Sequence, residues 1–180
     1  MTNTRKIIFS GFGGQGILTL GQFVSTMAMH KGYNVTWLPS YGAEMRGGTA
    51  NCSVIISDEP IGSPLIYSPE ILVAFNKPSI LKFLGRVTPG GQVVINSSIV
   101  ELDKAEGLTL HKVDATNIAA ALGSIRVQNM VMLGAFMKLV PLFDMDDAIA
   151  LINDTFGKKY PEMVELNMQA ITKGLEALNS

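Results

Sequence analysis

The stretch KIIFSGFGGQGILTL, residues 6–20, decides the fold, because a short apolar run meets a glycine cluster that opens a helical pattern. Residues 6–10 predict a β-strand. The residues that follow, Gly11-Phe12-Gly13-Gly14-Gln15-Gly16, form a glycine turn with the G-x-G-x-x-G spacing of phosphate-binding connections between a strand and a helix. Apolar residues then recur at helical intervals, and we expect the helix to end near Gly32.

The rest of the chain predicts a sheet that is complete by about Val113. A second strand is expected at residues 33–38, stopped by Pro39, so that the opening forms a βαβ unit with parallel strands and a right-handed crossover. Further strands are expected at three places: Thr49–Ser57, residues 71–75 and Gln92–Asn96.

Helical patterns follow the later strands and fill the C-terminal third of the chain. Asn76 and Asp114 are predicted to cap two of these helices. Residues 127–140 are apolar almost all round, which predicts burial on several sides, and helices are also expected at residues 144–157 and 162–178. This order predicts one domain, residues 1–180, with a Rossmann-like three-layer α/β/α fold, a largely parallel sheet and a helical C-terminal part.

Composition argues against some classes of protein. The chain has 14 basic and 15 acidic residues, so it offers no electrostatic attraction for nucleic acid or for an anionic membrane surface. Charged residues make up only 16 % of the sequence and hydrophobic residues 47 %. This balance favours a protein that covers part of its surface with partners, and a well-packed monomer with an uncharged polar exterior is the alternative.

The single cysteine, Cys52, limits the cofactors that this chain can hold by itself. Disulfide frameworks, zinc clusters and iron–sulfur sites each need several thiols. The first residues carry no secretory signal, and the most apolar later stretch is too short for a bilayer span. We therefore expect a cytoplasmic protein with neither a metal site nor a membrane segment.

The glycine turn has the chemistry of a phosphate site. Gly11 is expected to permit a tight turn, Gly13 and Gly14 to let a ligand approach the backbone, and Gly16 to let the new helix pack against the strand. The helix N-terminus adds unpaired N–H groups and a partial positive charge. A tight connection that binds nothing is the alternative. An NAD site lacks its ribose-binding acid at residues 37–40, and a P-loop lacks its lysine.

A second loop, YGAEMRGGTA at residues 41–50, places one acid and one base among glycines. Arg46 is expected to grip a phosphate or carboxylate, and Glu44 to orient that arginine or to contact the ligand. Tyr41, Gly47 and Gly48 complete the predicted binding loop together with Gln15 of the glycine turn. An internal pair between Glu44 and Arg46 is the alternative. No nucleophile has a base nearby in sequence, so we assign no catalytic residue and expect a binding subunit.

Three segments together resemble the gamma subunit of 2-oxoacid:ferredoxin oxidoreductases: the glycine turn, SYGAEMRGGT at residues 40–49, and VIISDEPI at residues 54–61. The similarity runs over nearly the whole chain, and the wording of the second segment is most similar to the 2-oxoglutarate enzymes. Pyruvate, branched-chain and indolepyruvate relatives share the outline. Ala43 stands where many members have proline, a difference that affects stiffness more than chemistry.

The resemblance implies a reaction and a set of partners. A 2-oxoacid is decarboxylated on thiamine diphosphate held between alpha and beta subunits, electrons pass through iron–sulfur clusters of beta and delta subunits to ferredoxin, and coenzyme A takes the acyl group. The gamma chain is then expected to bind coenzyme A at the two loops or to help close the active site. A purely structural interface subunit and, more distantly, an NAD-binding protein are the alternatives. Isolated from its partners, the chain is expected to form dimers or larger species.

Overall fold

A computed structural model of the protein describes residues 4–41 and 49–178. Its strands form one sheet in the order β2-β3-β1-β4-β5-β6. The strands are β1 (Arg5–Phe12), β2 (Asn34–Tyr41), β3 (Thr49–Ser57), β4 (Ile71–Ala74), β5 (Gln92–Asn96) and β6 (Thr109–Val113). Strands β1, β4, β5 and β6 pair in parallel, whereas β3 is antiparallel to both of its neighbours, β1 and β2. The predicted largely parallel sheet is confirmed.

Helices connect the strands and make up most of the chain after β6. They are α1 (Ile17–His30), α2 (Lys77–Phe83), α3 (Ala115–Ala121), α4 (Gln128–Leu139), α5 (Met145–Ile152) and α6 (Pro161–Ala177). A π-helical turn, Asn153–Gly157, extends α5. The helical C-terminal part is therefore confirmed. Within the described ranges, none of these helices combines the length and the apolar character that crossing a bilayer requires.

Two buried clusters cover the two faces of the sheet. Side chains of a strand alternate between the faces, so Phe9 of β1 enters one cluster and Ile8 enters the other. The first cluster includes residues of α1, α4 and α6, and the rings of Phe9 and Phe136 lie 5.4 Å apart. The second cluster is covered by α2 through Ile80 and Phe83. Helices on both faces give the α/β architecture that the sequence predicts.

Helix α4 is buried on several sides because α6 crosses it at two glycines. A Cβ placed on Gly134 would overlap the carbonyl oxygen of Ile171, and one on Gly174 would overlap the carbonyl oxygen of Val131. The absence of side chains at these two positions lets the helix backbones touch. The apolar stripe of α6 contacts the core as expected, with Ile171 fully buried.

One of two predictions about the first strands needs correction. Strand β2 does not stop at Pro39 but continues to Tyr41, with Pro39 opposite Cys52. Strand β2 lies at the edge of the sheet, so one of its two sides has no neighbouring strand. Proline has no N–H group to donate, and it is tolerated in an edge strand because no hydrogen bond to a neighbour is lost on that side. The other prediction, the βαβ unit, holds: β1 and β2 run parallel and α1 connects them, although the antiparallel β3 lies between them in the sheet.

The predicted helix caps gave one confirmation and one error. The side chain of Asn76 accepts a hydrogen bond from the backbone N–H of Ser79 and caps α2. Asp114 precedes α3, but its side chain makes no capping bond. Its carboxylate instead accepts hydrogen bonds from the Ser98 hydroxyl and the Asn117 amide. The Ser98 hydroxyl in turn accepts hydrogen bonds from two backbone N–H groups in the first turn of α3, so Ser98 replaces Asp114 as the capping side chain.

Candidate functional site

The strand register brings the glycine turn and both ends of the second loop to the same end of three neighbouring strands. Phe12 at the end of β1 lies opposite Thr49 at the start of β3, and Gly11 lies opposite Ala50. Ala50 also pairs with Tyr41, the last residue of β2. Both ends of the second loop are therefore anchored beside the glycine turn. Tyr41 is described only as backbone in β2, and the predicted binding residues Glu44, Arg46, Gly47 and Gly48 lie outside the described residues.

The middle of the glycine turn is exposed backbone. Both Gly13 and Gly14 are exposed, and a Cβ added to either would meet no atom of the described residues within 4 Å. Gly14 has φ +91°, a left-handed conformation that disfavours other residues. The described residues leave the approach to these two glycines unobstructed, and contact of a ligand with their backbone stays a prediction. Among the described hydrogen bonds, none uses the N–H groups of Gly13 or Gly14.

Helix α1 begins directly after this turn without a side-chain cap. Its N-cap is Gly16, which has no side chain to offer, and the first turn of the helix contains no acidic residue. The N–H groups at the start of a 14-residue helix carry a partial positive charge that is then left uncompensated. This arrangement is suited to an anion such as a phosphate group.

Gln15 closes the glycine turn on itself. Its Oε1 accepts a hydrogen bond from the Phe12 N–H at 2.7 Å, and its own N–H donates to the Phe12 carbonyl at 3.2 Å. In a parallel ladder, the backbone groups of Phe12 would continue the pairing of β1 with β4. Because Gln15 takes both groups, the ladder ends there. Gln15 thus shapes the loop, and its Oε1 is engaged within the chain.

The roles expected of Gly11 and Gly16 are exchanged. Gly11 lies within β1, and a Cβ there would come within 2.7 Å of the Ile17 side chain, so it is Gly11 that lets α1 pack closely on the strand. Gly16 has φ +76° and makes the turn. Its closest neighbour is not the strand but Asn129 of α4, whose Nδ2 lies 3.5 Å from the Gly16 carbonyl oxygen.

The turn lies where the helices of the fold change sides. Helix α1 leaves β1 and packs in the first cluster, whereas α2 leaves the neighbouring strand β4 and packs in the second cluster. In open α/β sheets such a switch point forms a crevice outside the carboxyl ends of the two strands, and ligands bind there. The glycine turn forms one side of this crevice.

A buried polar group that sequence reasoning missed as a site feature lies at the same point. Ser10, Asn76 and Ser79 are each 1 % exposed. The hydroxyls of Ser10 and Ser79 lie 2.8 Å apart, and Ser79 donates its hydroxyl proton to Asn76 Oδ1 at 2.7 Å. Among the described residues, the Nδ2 of Asn76 has no hydrogen-bond partner. Asn76 is predictable from sequence as a helix cap, but its spare donor becomes visible only in three dimensions.

A second group of polar side chains lies at the same end of the parallel strands. Asn96 at the end of β5 donates to Thr116 Oγ1 at 2.8 Å, and Thr116 donates to Gln128 Oε1 at 2.9 Å. These bonds tie β5 to the starts of α3 and α4. Their donors and acceptors are paired with each other, so this group stabilises the edge of the sheet and leaves the crevice between β1 and β4 as the candidate site.

The cysteine and the histidines are not arranged for catalysis. Burial raises the pKa of Cys52 to about 12, and its thiol donates toward the Ile17 carbonyl at 3.8 Å. Burial lowers the pKa of His111, which lies on β6 and pairs with Gln92. In the part of the chain that the structure describes, no three His, Cys, Asp or Glu side chains are grouped to hold a metal ion.

Comparisons with known proteins identify the family. The profile of the pyruvate ferredoxin/flavodoxin oxidoreductase family matches residues 6–177. Ketoisovalerate oxidoreductase subunit VorA of Methanothermobacter marburgensis is 37 % identical over 95 % of this chain and 36 % of its own length. 2-Oxoglutarate synthase subunit KorC of Methanocaldococcus jannaschii is 34 % identical over 96 % of this chain and 92 % of its own. The pyruvate/ketoisovalerate oxidoreductases common subunit gamma of Thermococcus litoralis is 31 % identical over 86 % of this chain and 90 % of its own length.

Solved structures agree with these relatives. The 2-oxoglutarate:ferredoxin oxidoreductase of Magnetococcus marinus, solved with 2-oxoglutarate, coenzyme A and succinyl-CoA bound, superposes with a TM-score of 0.88 at 27 % identity, over 98 % of this chain and 31 % of that one. The keto/oxoacid ferredoxin oxidoreductase gamma subunit of Geobacter sulfurreducens superposes with a TM-score of 0.80 at 29 % identity, over 97 % of this chain and 98 % of that one. The chain spans about a third of the VorA and Magnetococcus polypeptides. The resemblance seen in the sequence is confirmed, and this chain belongs to the pyruvate ferredoxin/flavodoxin oxidoreductase family.

Proposed function

We propose that this chain is the gamma-type module of a 2-oxoacid:ferredoxin oxidoreductase and that its glycine turn binds phosphate groups of coenzyme A. The observation that carries the proposal is the turn itself: exposed backbone at Gly13 and Gly14, directly before the uncapped N-terminus of α1, at the switch point of the sheet. Backbone N–H groups and a helix N-terminus are a general means of binding phosphate, and coenzyme A carries several phosphates.

Within this proposal, the chain binds and orients coenzyme A and performs no step of the decarboxylation. Coenzyme A supplies the thiol that takes the acyl group. Holding its phosphates at Gly13 and Gly14 would place the flexible thiol arm in a limited volume, and such positioning lowers the entropy cost of the transfer. The Magnetococcus relative, with coenzyme A bound, supports the ligand class.

The remaining cofactors belong to other parts of the complex in this proposal. An iron–sulfur cluster requires several thiolates, and the chain has only Cys52, whose thiol is buried and hard to ionise. The clusters are therefore assigned to beta and delta partners, with ferredoxin as the electron acceptor. The family resemblance assigns thiamine diphosphate to the alpha and beta partners. In relatives such as VorA the matching region is part of a longer polypeptide, whereas KorC is a chain of similar length.

The 2-oxoacid is a separate part of the proposal. The wording of the second loop favours 2-oxoglutarate, as in the KorC relatives. The relatives nevertheless divide among ketoisovalerate, 2-oxoglutarate and pyruvate enzymes. In Thermococcus litoralis, one common gamma subunit serves pyruvate and ketoisovalerate enzymes. We therefore propose that the partners select the acid, with 2-oxoglutarate the first candidate to assay.

A purely structural role in a subunit interface is the second candidate, and one observation favours it. Gly11 and Gly16 are both used for packing within the chain, against Ile17 and Asn129. The glycines of such a turn could be required by packing within the chain and not by a ligand. No described residue restricts the space at the exposed pair Gly13 and Gly14, and this difference makes the ligand role the better supported one.

Reconstitution tests the proposal. The purified chain alone is expected to show no oxidation of 2-oxoglutarate, pyruvate or 2-ketoisovalerate, and activity is expected only after addition of its alpha and beta partners. Coenzyme A binding to the assembled complex is then measured by calorimetry with and without this chain. Oxidation by the isolated chain, or unchanged coenzyme A affinity when the chain is left out, would contradict the proposal.

A further inference from the structure

The side chain of Asn76 carries a hydrogen-bond donor that nothing in the described part of the chain satisfies. Asn76 is 1 % exposed, and its Nδ2 has no partner. Buried amide donors are almost always paired, because leaving one unpaired destabilises the fold. An acceptor from outside the chain would remove this penalty, so the spare donor is itself an indication of a binding site.

The orientation of the Asn76 carboxamide is fixed by its neighbours. The backbone N–H of Ser79 donates to Asn76 Oδ1 at 2.9 Å. Since a backbone N–H can only donate, the side-chain oxygen must face Ser79 and the carboxamide cannot be turned over. The Ser79 hydroxyl also donates to Oδ1, which leaves the Ser10 hydroxyl to donate to Ser79. Every polar group of this network is thus used except the Nδ2 of Asn76.

The strand register places Asn76 next to the end of β1 that leads into the glycine turn. Ser10 pairs with Ala74, and the Phe75 N–H donates to the Ser10 carbonyl at 2.9 Å. Two residues further along the parallel strands, Asn76 is level with Phe12, the last residue of β1. There the ladder ends, because Gln15 holds both backbone groups of Phe12. The unpaired Nδ2 is on the opposite side of this carboxamide from the oxygen that accepts from Ser79.

We propose that Asn76 is a ligand-binding residue whose Nδ2–H donates to a phosphate oxygen of the coenzyme A bound at the glycine turn. This inference rests on the function proposed above. The turn and the start of α1 contribute backbone donors from the β1 side of the crevice, and Asn76 contributes a side-chain donor from the β4 side. A phosphate group has enough acceptor oxygens to take both, and a neutral donor already held in place loses little entropy on binding.

Two substitutions remove the donor and keep the cap. Asn76→Asp and Asn76→Ser each retain an oxygen that can accept from the Ser79 N–H, and both residues are favoured helix N-caps. Asn76→Ser also avoids the buried charge that Asn76→Asp introduces. Asn117→Ser is a matched control, because Asn117 is exposed on α3 and its amide donates to Asp114.

The dissociation constants of coenzyme A and of pantetheine, which lacks the phosphates, are measured by calorimetry on the assembled complex. Loss of a hydrogen bond to a charged group predicts about ten- to a hundred-fold weaker binding of coenzyme A to both Asn76 variants. Pantetheine is expected to bind the variants and the wild type alike, and Asn117→Ser to change neither constant. Thermal unfolding of the complex is expected to shift little for Asn76→Ser.

Several results would overturn the inference. They are an unchanged coenzyme A constant in both Asn76 variants, equal weakening for coenzyme A and pantetheine, and loss of assembly by both variants, which would assign the donor to a partner subunit or to the fold. Gly13→Val separates this inference from the function on which it rests. If Gly13→Val weakens coenzyme A binding and the Asn76 variants do not, the proposed function stands and the role of Asn76 falls. If neither change weakens binding, both fall.

Discussion

Gln15 holds both backbone polar groups of Phe12, accepting from its N–H at 2.7 Å and donating to its carbonyl oxygen at 3.2 Å. This pair of bonds diverts Phe12 from the ladder with β4, whereas Phe12 stays paired with Thr49 of β3. The pairing of β1 with β4 thus stops at the switch point, where the glycine turn meets the start of α1. Gln15 therefore helps to shape one side of the crevice that the ligand is proposed to enter.

Substitution of Gln15 separates its two effects. Gln15→Ala removes the acceptor of the Phe12 N–H and is expected to lower the free energy of unfolding by about 1 kcal/mol, the usual net contribution of one hydrogen bond. Gln15→Glu keeps an acceptor oxygen and is expected to unfold at nearly the wild-type temperature. Its negative charge beside the turn should nevertheless weaken the binding of coenzyme A to the assembled complex. Thermal unfolding and calorimetry of the two variants check both statements, and equal affinity for Gln15→Glu and wild type would contradict the placement of phosphate here.

The glycines of the α4–α6 crossing make a prediction about stability. Gly134→Ala or Gly174→Ala would push a Cβ into the backbone of the facing helix, so the two helices must separate. We expect a loss of at least about 3 kcal/mol, which in a chain of this size lowers the unfolding temperature by about 6–12 °C. Gly85→Ala is the control, because an added Cβ there meets nothing within 4 Å. Similar unfolding temperatures for all three variants would mean that the crossing is less tight than described.

Much of the fold follows from local sequence signals. The boundaries of Thr49–Ser57 and Gln92–Asn96, the cap at Asn76 and the helix end before Gly32 each depend on residues close together in the chain. Gly32 follows this helix and has φ +85°, a conformation that favours glycine just after the end of a helix. Where the signal is local, periodicity and capping chemistry were sufficient.

The errors arose where a distant residue decides the outcome. The βαβ pattern correctly predicted that β1 and β2 run parallel, but it does not contain the pairing across the sheet that places β3 between them. Pro39 is tolerated in β2 only because that strand is at an edge, and Asp114 loses its capping role to Ser98 from another connection. The candidate site shows the same division. The glycine turn was predictable, whereas Asn76 becomes part of the site only through the register of β4 with β1.

Cys52 is expected to be inert in the folded protein. With its pKa raised to about 12 by burial, only about one thiol in ten thousand is ionised at pH 8, and the thiolate is the reactive form. An aromatic disulfide reagent should label Cys52 only after unfolding in guanidinium. The raised pKa also predicts that the contribution of the protonated thiol to stability is complete below about pH 8.5, the ordinary value for an unfolded cysteine, and declines as the pH rises toward 12. Rapid labelling of the native chain at pH 8, with Cys52→Ala as the unlabelled control, would contradict the buried position.

The affinity of the assembled complex for coenzyme A when the chain carries Gly13→Val tests the central claim most directly. Gly13 has no positive φ and a Cβ there meets no atom of the described residues within 4 Å, so valine is expected to fill the space in front of the turn without straining the fold. Loss of phosphate contacts to the backbone predicts about ten- to a hundred-fold weaker binding of coenzyme A, with assembly and unfolding temperature close to wild type. Gly62→Val, at a position equally free of neighbours, is expected to leave the affinity unchanged. An unaltered dissociation constant for coenzyme A in an intact Gly13→Val complex would contradict the proposal that the glycine turn is a phosphate site.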